Sequence, residues 1–313
     1  FFSTPTPPSA ISACLVGSEM CIRDSGYVQW LFGTNLLGYQ SPSIRITGIF
    51  NTEEVLGHFL SHLSPLLLAL LSYVYGIGKK KIIFFILFLM FIEFMIFVTN
   101  DRAAFLKITQ FTILIILLSN NFKIFRLISF LITLVIIFFV LNFSQNSNER
   151  YQQTVQDVTN TTIPYMPWSP HHETHFSVTF DMFKNNPFFG QGPQLFKTLC
   201  QIVPEYLSGC SSHPHNYYFQ TMGELGIIGL FFLFSAFIYF SYILIRHFFA
   251  MWIKKNPKKI MKDYYLFTIC LLFLLLWPLI PHNSFYNNWF NVMVYLPVGF
   301  FMHFKKNKNI HYE

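Results

Sequence analysis

The stretch HPHNYYFQTMGELGIIGL (213 to 230) opens with His213, His215 and Asn216, carries Glu224, and runs into the apolar FFLFSAFIYFSYILI. A histidine of ordinary pKa, about 6.5, can in its neutral form take a proton from an attacking hydroxyl. At a loop-to-helix transition, free backbone N–H groups and the positive end of the helix dipole favour an anion nearby. His215 is therefore the leading candidate for a general base, with His213, just before Pro214, competing for the role. The alternative is a histidine that only makes a structural hydrogen bond. Glu224 lies on the first turns and could pair with an arginine. Gly223, Gly226 and Gly229, three residues apart, predict a small-residue stripe for close helix packing.

Other chemistry-bearing residues fall in separate stretches. SPHHETHF (169 to 176) puts His171 and His175 at the i, i+4 spacing that can share zinc on a helix. Residue 172 is then His where a metalloprotease needs its general-base Glu, and His172-Glu173-Thr174-His175 is one residue short of H-E-x-x-H, so a solvated polar turn is expected and no metal is assigned. Arg45 and Arg102 each lie beside the membrane interface. They could snorkel to headgroups, pair with Asp101 in the case of Arg102, or clamp a phosphate with the guanidinium fork. Cys200 and Cys210 bracket QIVPEYLSG as either a disulfide or two thiols. Glu93 falls inside an apolar run, where a carboxylate must face the interior or be protonated.

The elements that position these residues follow from composition. The chain is 53% hydrophobic and 11% charged, against roughly 25% charged in a soluble domain. Apolar runs reach the roughly 17 to 25 residues that cross a bilayer. They predict an all-α, polytopic transmembrane bundle of about seven helices, at 56–77, 82–99, 103–119, 127–143, 222–245, 264–280 and 290–304. The formal charge of +7 does not ask for nucleic acid. Fourteen of the 21 Lys and Arg fall in alternate loops, among them Lys79–Lys81, Lys123, Arg126 and the 246–262 stretch, which marks those loops as cytoplasmic. TNDR (99–102), the one long loop (144–215) and PHNSFYNNWF (281–290) then share the opposite, periplasmic face.

Residues 26–55 are too polar to span lipid and are expected to lie at the interface. Residues 1–25 are no signal peptide and resemble a translated sequencing-adapter tail. On that reading 26–313 is the expected membrane domain, Cys14 and Cys21 would not be biological, and the natural amino-terminal portion would be missing.

HNYYFQTMGELGIIGL resembles the signature of the O-antigen ligase and polymerase superfamily, as do NNPFFGQGPQLF (185–196), RITGIFNTEEVLGHFLS (45–61) and NDRAAFLK (100–107), with PHNSFYNNWF similar to a closing periplasmic turn. The resemblance covers nearly everything from residue 26 onward. It implies a glycosyltransferase of the bacterial inner membrane that needs no metal, cofactor or nucleotide sugar. The donor would be a glycan on undecaprenyl diphosphate. The acceptor would be a sugar hydroxyl on lipid A-core for a ligase, or on another lipid-linked glycan for a polymerase. By that resemblance His215 activates the hydroxyl and Arg45 and Arg102 hold the diphosphate. His213, Asn216 and Glu224 complete the expected substrate-binding set. A polysaccharide transporter is the reading from another class, and it predicts charged or broken helices deep in the bundle.

Overall fold

The structure, a computed structural model, describes residues 8–41, 43–76, 79–119, 123–143, 145–159, 170–202, 210–254 and 260–306. The described residues form eleven α-helices and no β-strand longer than an isolated bridge. The chain divides into two compact units. The first comprises residues 1–150, 243–274 and 296–313, and the second 151–242 and 275–295.

The first unit is built on α1 (Pro8–Phe32), α2 (Leu56–Tyr75), α3 (Lys79–Val98), α4 (Arg102–Leu118) and α5 (Lys123–Phe143). α2 is its centre, buried without interruption from Leu60 to Ser72, as expected of a helix apolar on all sides. It ends at Gly76, whose φ of 65° is open to glycine and whose N–H returns to the Ser72 carbonyl at 3.0 Å.

α5 has the reverse pattern. Its buried positions are Arg126, Ser129, Thr133 and Ile137, one stripe at i, i+3, i+7 and i+11, while Leu127, Ile128, Leu131, Val135 and Phe138 are exposed. Polar residues inward and hydrocarbon outward is the arrangement of a helix whose solvent is lipid. Arg126 therefore does not sit in the cytoplasmic loop as a topological charge. It is fully buried and pairs with Glu93 of α3, with Thr112 of α4 hydrogen-bonded to both and Ser129 accepting from the guanidinium at 3.1 Å. A carboxylate inside apolar helices needs a cation and donors to offset its lost hydration.

Each of the seven expected crossings falls on a helix, α2 to α5, α9 (Tyr217–Phe248), α10 (Asp263–Leu275) and α11 (Asn288–Lys306), although α10 ends at Leu275, short of the expected 280. Three apolar spans, Leu56–Tyr75, Lys123–Phe143 and Tyr217–Ile253, are long enough to cross a membrane, and Ile83–Val98 and Asp263–Leu275 are shorter.

α1 differs from expectation, because it passes residue 25 without a break. Tyr27 donates to the Phe91 carbonyl at 2.6 Å, and Trp30 meets Phe94 edge-on. The polar residues around 26–55 hold the backbone that follows. Gln29 Oε1 accepts the N–H groups of Thr47 (2.9 Å) and Gly48 (2.7 Å), and Asn35 Oδ1 accepts those of Leu37 and Tyr39.

The long loop contributes α6 (Gln145–Thr159), α7 (Pro170–Asn185) and α8 (Phe196–Ile202).

Candidate functional site

In the second unit the chain reaches α9 through His213, Pro214, His215 and Asn216. Asn216 caps the helix. Its Oδ1 accepts the N–H groups of Tyr218 (2.9 Å) and Phe219 (3.3 Å), two of the donors a helix start leaves open. Its amide N–H donates to the Pro278 carbonyl at 2.7 Å. Both ends of this buried side chain are thus committed to holding the head of α9 against the 275–295 segment. Tyr218 adds a hydroxyl bond to the Leu276 carbonyl at 2.5 Å.

His215 takes a φ of 54°, a left-handed conformation in which histidine is among the enriched non-glycine residues. Its carbonyl accepts the His282 N–H at 2.7 Å, and the His282 ring stacks on Tyr217 with centroids 4.3 Å apart.

Three imidazoles surround the His215 ring: His213 at 4.1 Å, His175 at 5.4 Å and His172 at 5.6 Å between centroids. The last two come from α7, which lies on the first turns of α9. Phe176 stacks on Phe219 at 3.9 Å and 10°, and a Cβ on Gly223 would stand 3.1 Å from the Thr179 carbonyl oxygen. SPHHETHF is therefore not a solvated turn, since His175 is only 4% exposed. The His171 side chain lies outside the described residues. Among those residues no group of three or more His, Cys, Asp or Glu is arranged to hold a metal ion. Burial above all, with His175 beside it, lowers the His213 pKa to about 4 against the opposing hydrogen bond to the His282 backbone, so His213 is neutral near pH 7.

α9 is broken at Gly226, whose φ of 65° and ψ of −161° no L side chain adopts readily. The NNPFFGQG turn fills the break. Ile227 donates to the Pro187 carbonyl (2.8 Å), while Gln191 and Gly192 donate to those of Gly223 and Glu224 (3.0 Å each). The backbone groups freed by the break are thereby satisfied. The approach is close enough to require glycine on both sides. A Cβ at Gly190 would lie 2.3 Å from the Glu224 carbonyl carbon, and one at Gly226 would lie 2.4 Å from the Phe188 oxygen. The three glycines of 223–229 are thus not one packing stripe. Gly223 meets α7, Gly226 meets the turn, and a Cβ on Gly229 would strike Leu225 of its own helix.

Glu224 does not meet an arginine in this unit. Its Oε1 accepts the Phe196 N–H at the start of α8 (3.0 Å), and its Oε2 accepts from Gln220 (3.3 Å). The Tyr286 hydroxyl also faces it. Burial first, then the Glu224 charge and hydrogen bond, push that phenol up to about 12. Cys200 and Cys210 are joined by a disulfide with Cα atoms 5.7 Å apart. Cys200 is packed among Val178, Met182 and Phe196, so the bridge ties α8 to the chain that leads into His213.

Arg45 and Arg102 belong to the first unit. Arg45 Nη1 pairs with Glu54 Oε2 at 2.9 Å. Its stretch is fastened to the start of α4 by Asn100, which donates to the Ile44 carbonyl at 2.8 Å. Asp101 caps α4 through Ala104 N–H (3.2 Å), and its Oδ2 lies 3.7 Å from His58 Nε2. Although burial opposes it, the charges of His58 and Arg45 hold the Asp101 carboxyl below its usual range. Arg102 follows directly, half-buried. Deeper along α2 and α4, His62 Nδ1 bonds the His58 carbonyl at 2.6 Å and Lys107 Nζ lies 3.2 Å from His62 Nε2. His58, His62 and Lys107 were not expected from the sequence. The available signal was two histidines four apart on α2 and a lysine inside a crossing.

Inward polar stripes on outwardly apolar helices define a polytopic helical membrane protein with a histidine-lined site at the head of α9. Residues 83–234 match the family model described as O-antigen ligase, a match that supports the O-antigen ligase superfamily and a ligase or polymerase type of function. No curated protein matches the sequence.

Proposed function

We propose that the chain is a metal-independent membrane glycosyltransferase of the O-antigen ligase type. In this reading it moves a glycan from undecaprenyl diphosphate to a sugar hydroxyl of lipid A-core, at the periplasmic face of the bacterial inner membrane. The observation that carries the reading is His215. Its backbone is held by His282, its helix is capped by Asn216, and its ring stands among imidazoles. The acceptor hydroxyl gives its proton to neutral His215 as its oxygen attacks the anomeric carbon. The bond from that carbon to the diphosphate oxygen breaks, and the carrier diphosphate leaves with the electron pair. Arg45 and Arg102 are assigned to the diphosphate, where forked donors suit phosphate oxygens. Because the leaving group is already good, positioning and charge neutralisation supply much of the acceleration. His213 contributes as a neutral hydrogen-bonding neighbour. Asn216 and Glu224 act by holding the site's backbone.

The test uses protein purified in lipid, supplied with undecaprenyl diphosphate-linked repeat units, alone and then with lipid A-core, with product size followed on a gel. Transfer that begins only when core lipid is added, and is lost in His215→Asn, supports the reading. Lengthening without core lipid would make the protein a polymerase, and full activity in His215→Asn would remove that residue from the chemistry.

A further inference from the structure

The NNPFFGQG turn belongs to the long loop that the sequence places outside the bilayer, yet its tip is apolar and bare. Phe188 is 66% and Phe189 71% exposed. Exposed apolar side chains standing singly need no explanation, whereas a contiguous patch marks a surface that something covers. Here the patch is contiguous with α9. The Phe188 carbonyl accepts the Ile228 N–H at 3.5 Å, and the Pro187 carbonyl accepts that of Ile227 at 2.8 Å. Ile227 and Ile228 are themselves exposed, and they begin an outward apolar surface that runs on through Phe231 and Phe232. Those residues lie on the span Tyr217–Ile253, long and apolar enough to cross a membrane. The tip of the turn therefore continues a face whose natural covering is hydrocarbon.

The backbone of the turn suits the same surroundings. A loop can approach lipid only where its N–H and C=O groups are satisfied within the protein. The carbonyls of Asn186, Pro187 and Phe188 accept from Gly190, Ile227 and Ile228. The N–H groups of Asn186, Gly190, Gln191 and Gly192 donate to the carbonyls of Met182, Asn186, Gly223 and Glu224, and Pro187 has no N–H to place. Lys184, Asn185 and Asn186, all exposed, lead into the tip. Its apolar part is thus a short wedge, with polar residues where headgroups would begin.

We propose that Phe188 and Phe189 are seated in the bilayer, their partner being the glycerol and upper acyl-chain layer of the leaflet beside the start of the α9 span. Side chains held at such a boundary enter by about 5 to 10 Å. The turn thereby fastens the end of α7 to the membrane surface at the level of the break in α9.

The experiment attaches a nitroxide to Phe188→Cys and, separately, to Phe189→Cys in the full chain, reconstituted in phosphatidylcholine and phosphatidylglycerol vesicles. Cys21→Ser removes the exposed free thiol, Cys270 is buried, and Cys200 and Cys210 are bonded to each other. Collision with oxygen, which concentrates in lipid, is compared with collision with a water-soluble nickel chelate. Phe232→Cys serves as the lipid reference, and Gln152→Cys on the polar helix α6 as the water reference. The expected result at both positions is an oxygen-to-chelate ratio at least threefold above that of Gln152→Cys, approaching that of Phe232→Cys. A ratio equal to that of Gln152→Cys, in protein that keeps the wild-type unfolding midpoint, would put the tip in water and overturn the proposal. Weak collision with both reagents would mean that protein covers the tip and would overturn it equally, with spin–spin broadening that vanishes on dilution with unlabelled chain identifying a second copy as the cover. Should one variant unfold early, the other decides, since each ring samples the same wedge.

Discussion

Replacing Gly226 with alanine tests whether the NNPFFGQG turn is locked into the break in α9. An alanine there would hold a glycine-only backbone conformation, at about 1 to 3 kcal/mol. Its Cβ would also stand 2.4 Å from the Phe188 oxygen, so the turn must shift. Displacing it gives up the bonds from Ile227, Gln191 and Gly192, at about 1 kcal/mol each. The expected loss is about 4 to 6 kcal/mol. Two glycines separate the terms. Gly38, with a φ of 84° and open space around it, carries strain without a clash, so Gly38→Ala should cost about 1 to 2 kcal/mol. Gly299 lies in α11 with nothing within 4 Å of a Cβ, and Gly299→Ala should be neutral or stabilise by up to about 1 kcal/mol. Reversible unfolding by SDS in mixed micelles, followed by far-UV circular dichroism, orders the three. A Gly226→Ala midpoint no lower than that of Gly38→Ala would refute the interlocked turn.

Two further outcomes follow from buried charge. Glu93→Leu and Arg126→Met should each cost about 3 to 5 kcal/mol by stranding the partner, while the two together should cost less than either single change. The same unfolding assay as a double-mutant cycle checks this, and additive losses would mean that the two side chains do not pair. His213, with its pKa lowered to about 4 in the fold and about 6.5 when unfolded, favours the native state fully above pH 6.5. As the pH falls from about 6.5 to about 4 the unfolded chain binds the proton first, so that stability is lost. His213→Asn should therefore flatten the acid decline of the unfolding midpoint in that window, and an unchanged slope would place the ring in water.

The membrane class, the helices under the seven expected crossings and His215 at a helix start were all legible, because each rests on local composition or on residues adjacent in sequence. Arg126 was read as a loop charge because it stands next to Lys123 in the sequence. Its true direction was written in Ser129 and Thr133, which continue its face at helical spacing. His175 looked solvated because nothing within SPHHETHF reveals Phe219, the ring on which α7 docks. The glycines of 223–229 fitted a packing stripe by spacing alone, whereas the break depends on a turn more than 30 residues upstream. Glu224 was given an arginine on grounds of charge, but the donors it meets are the N–H of Phe196 and the amide of Gln220.

The break at Gly226 also divides the apparent length of α9. As one 32-residue helix, at about 1.5 Å per residue it would be about 48 Å long, well beyond a hydrocarbon core of about 30 Å. The stretch from 227 to 248 alone comes to about 33 Å, enough to match the core without help. Asn216, Gln220, Thr221 and Glu224 all precede the break. The polar side chains at the head of α9 are thus gathered on a short pedestal that need not enter hydrocarbon, and Arg246 and His247 stand at the far end of the stretch that follows the break.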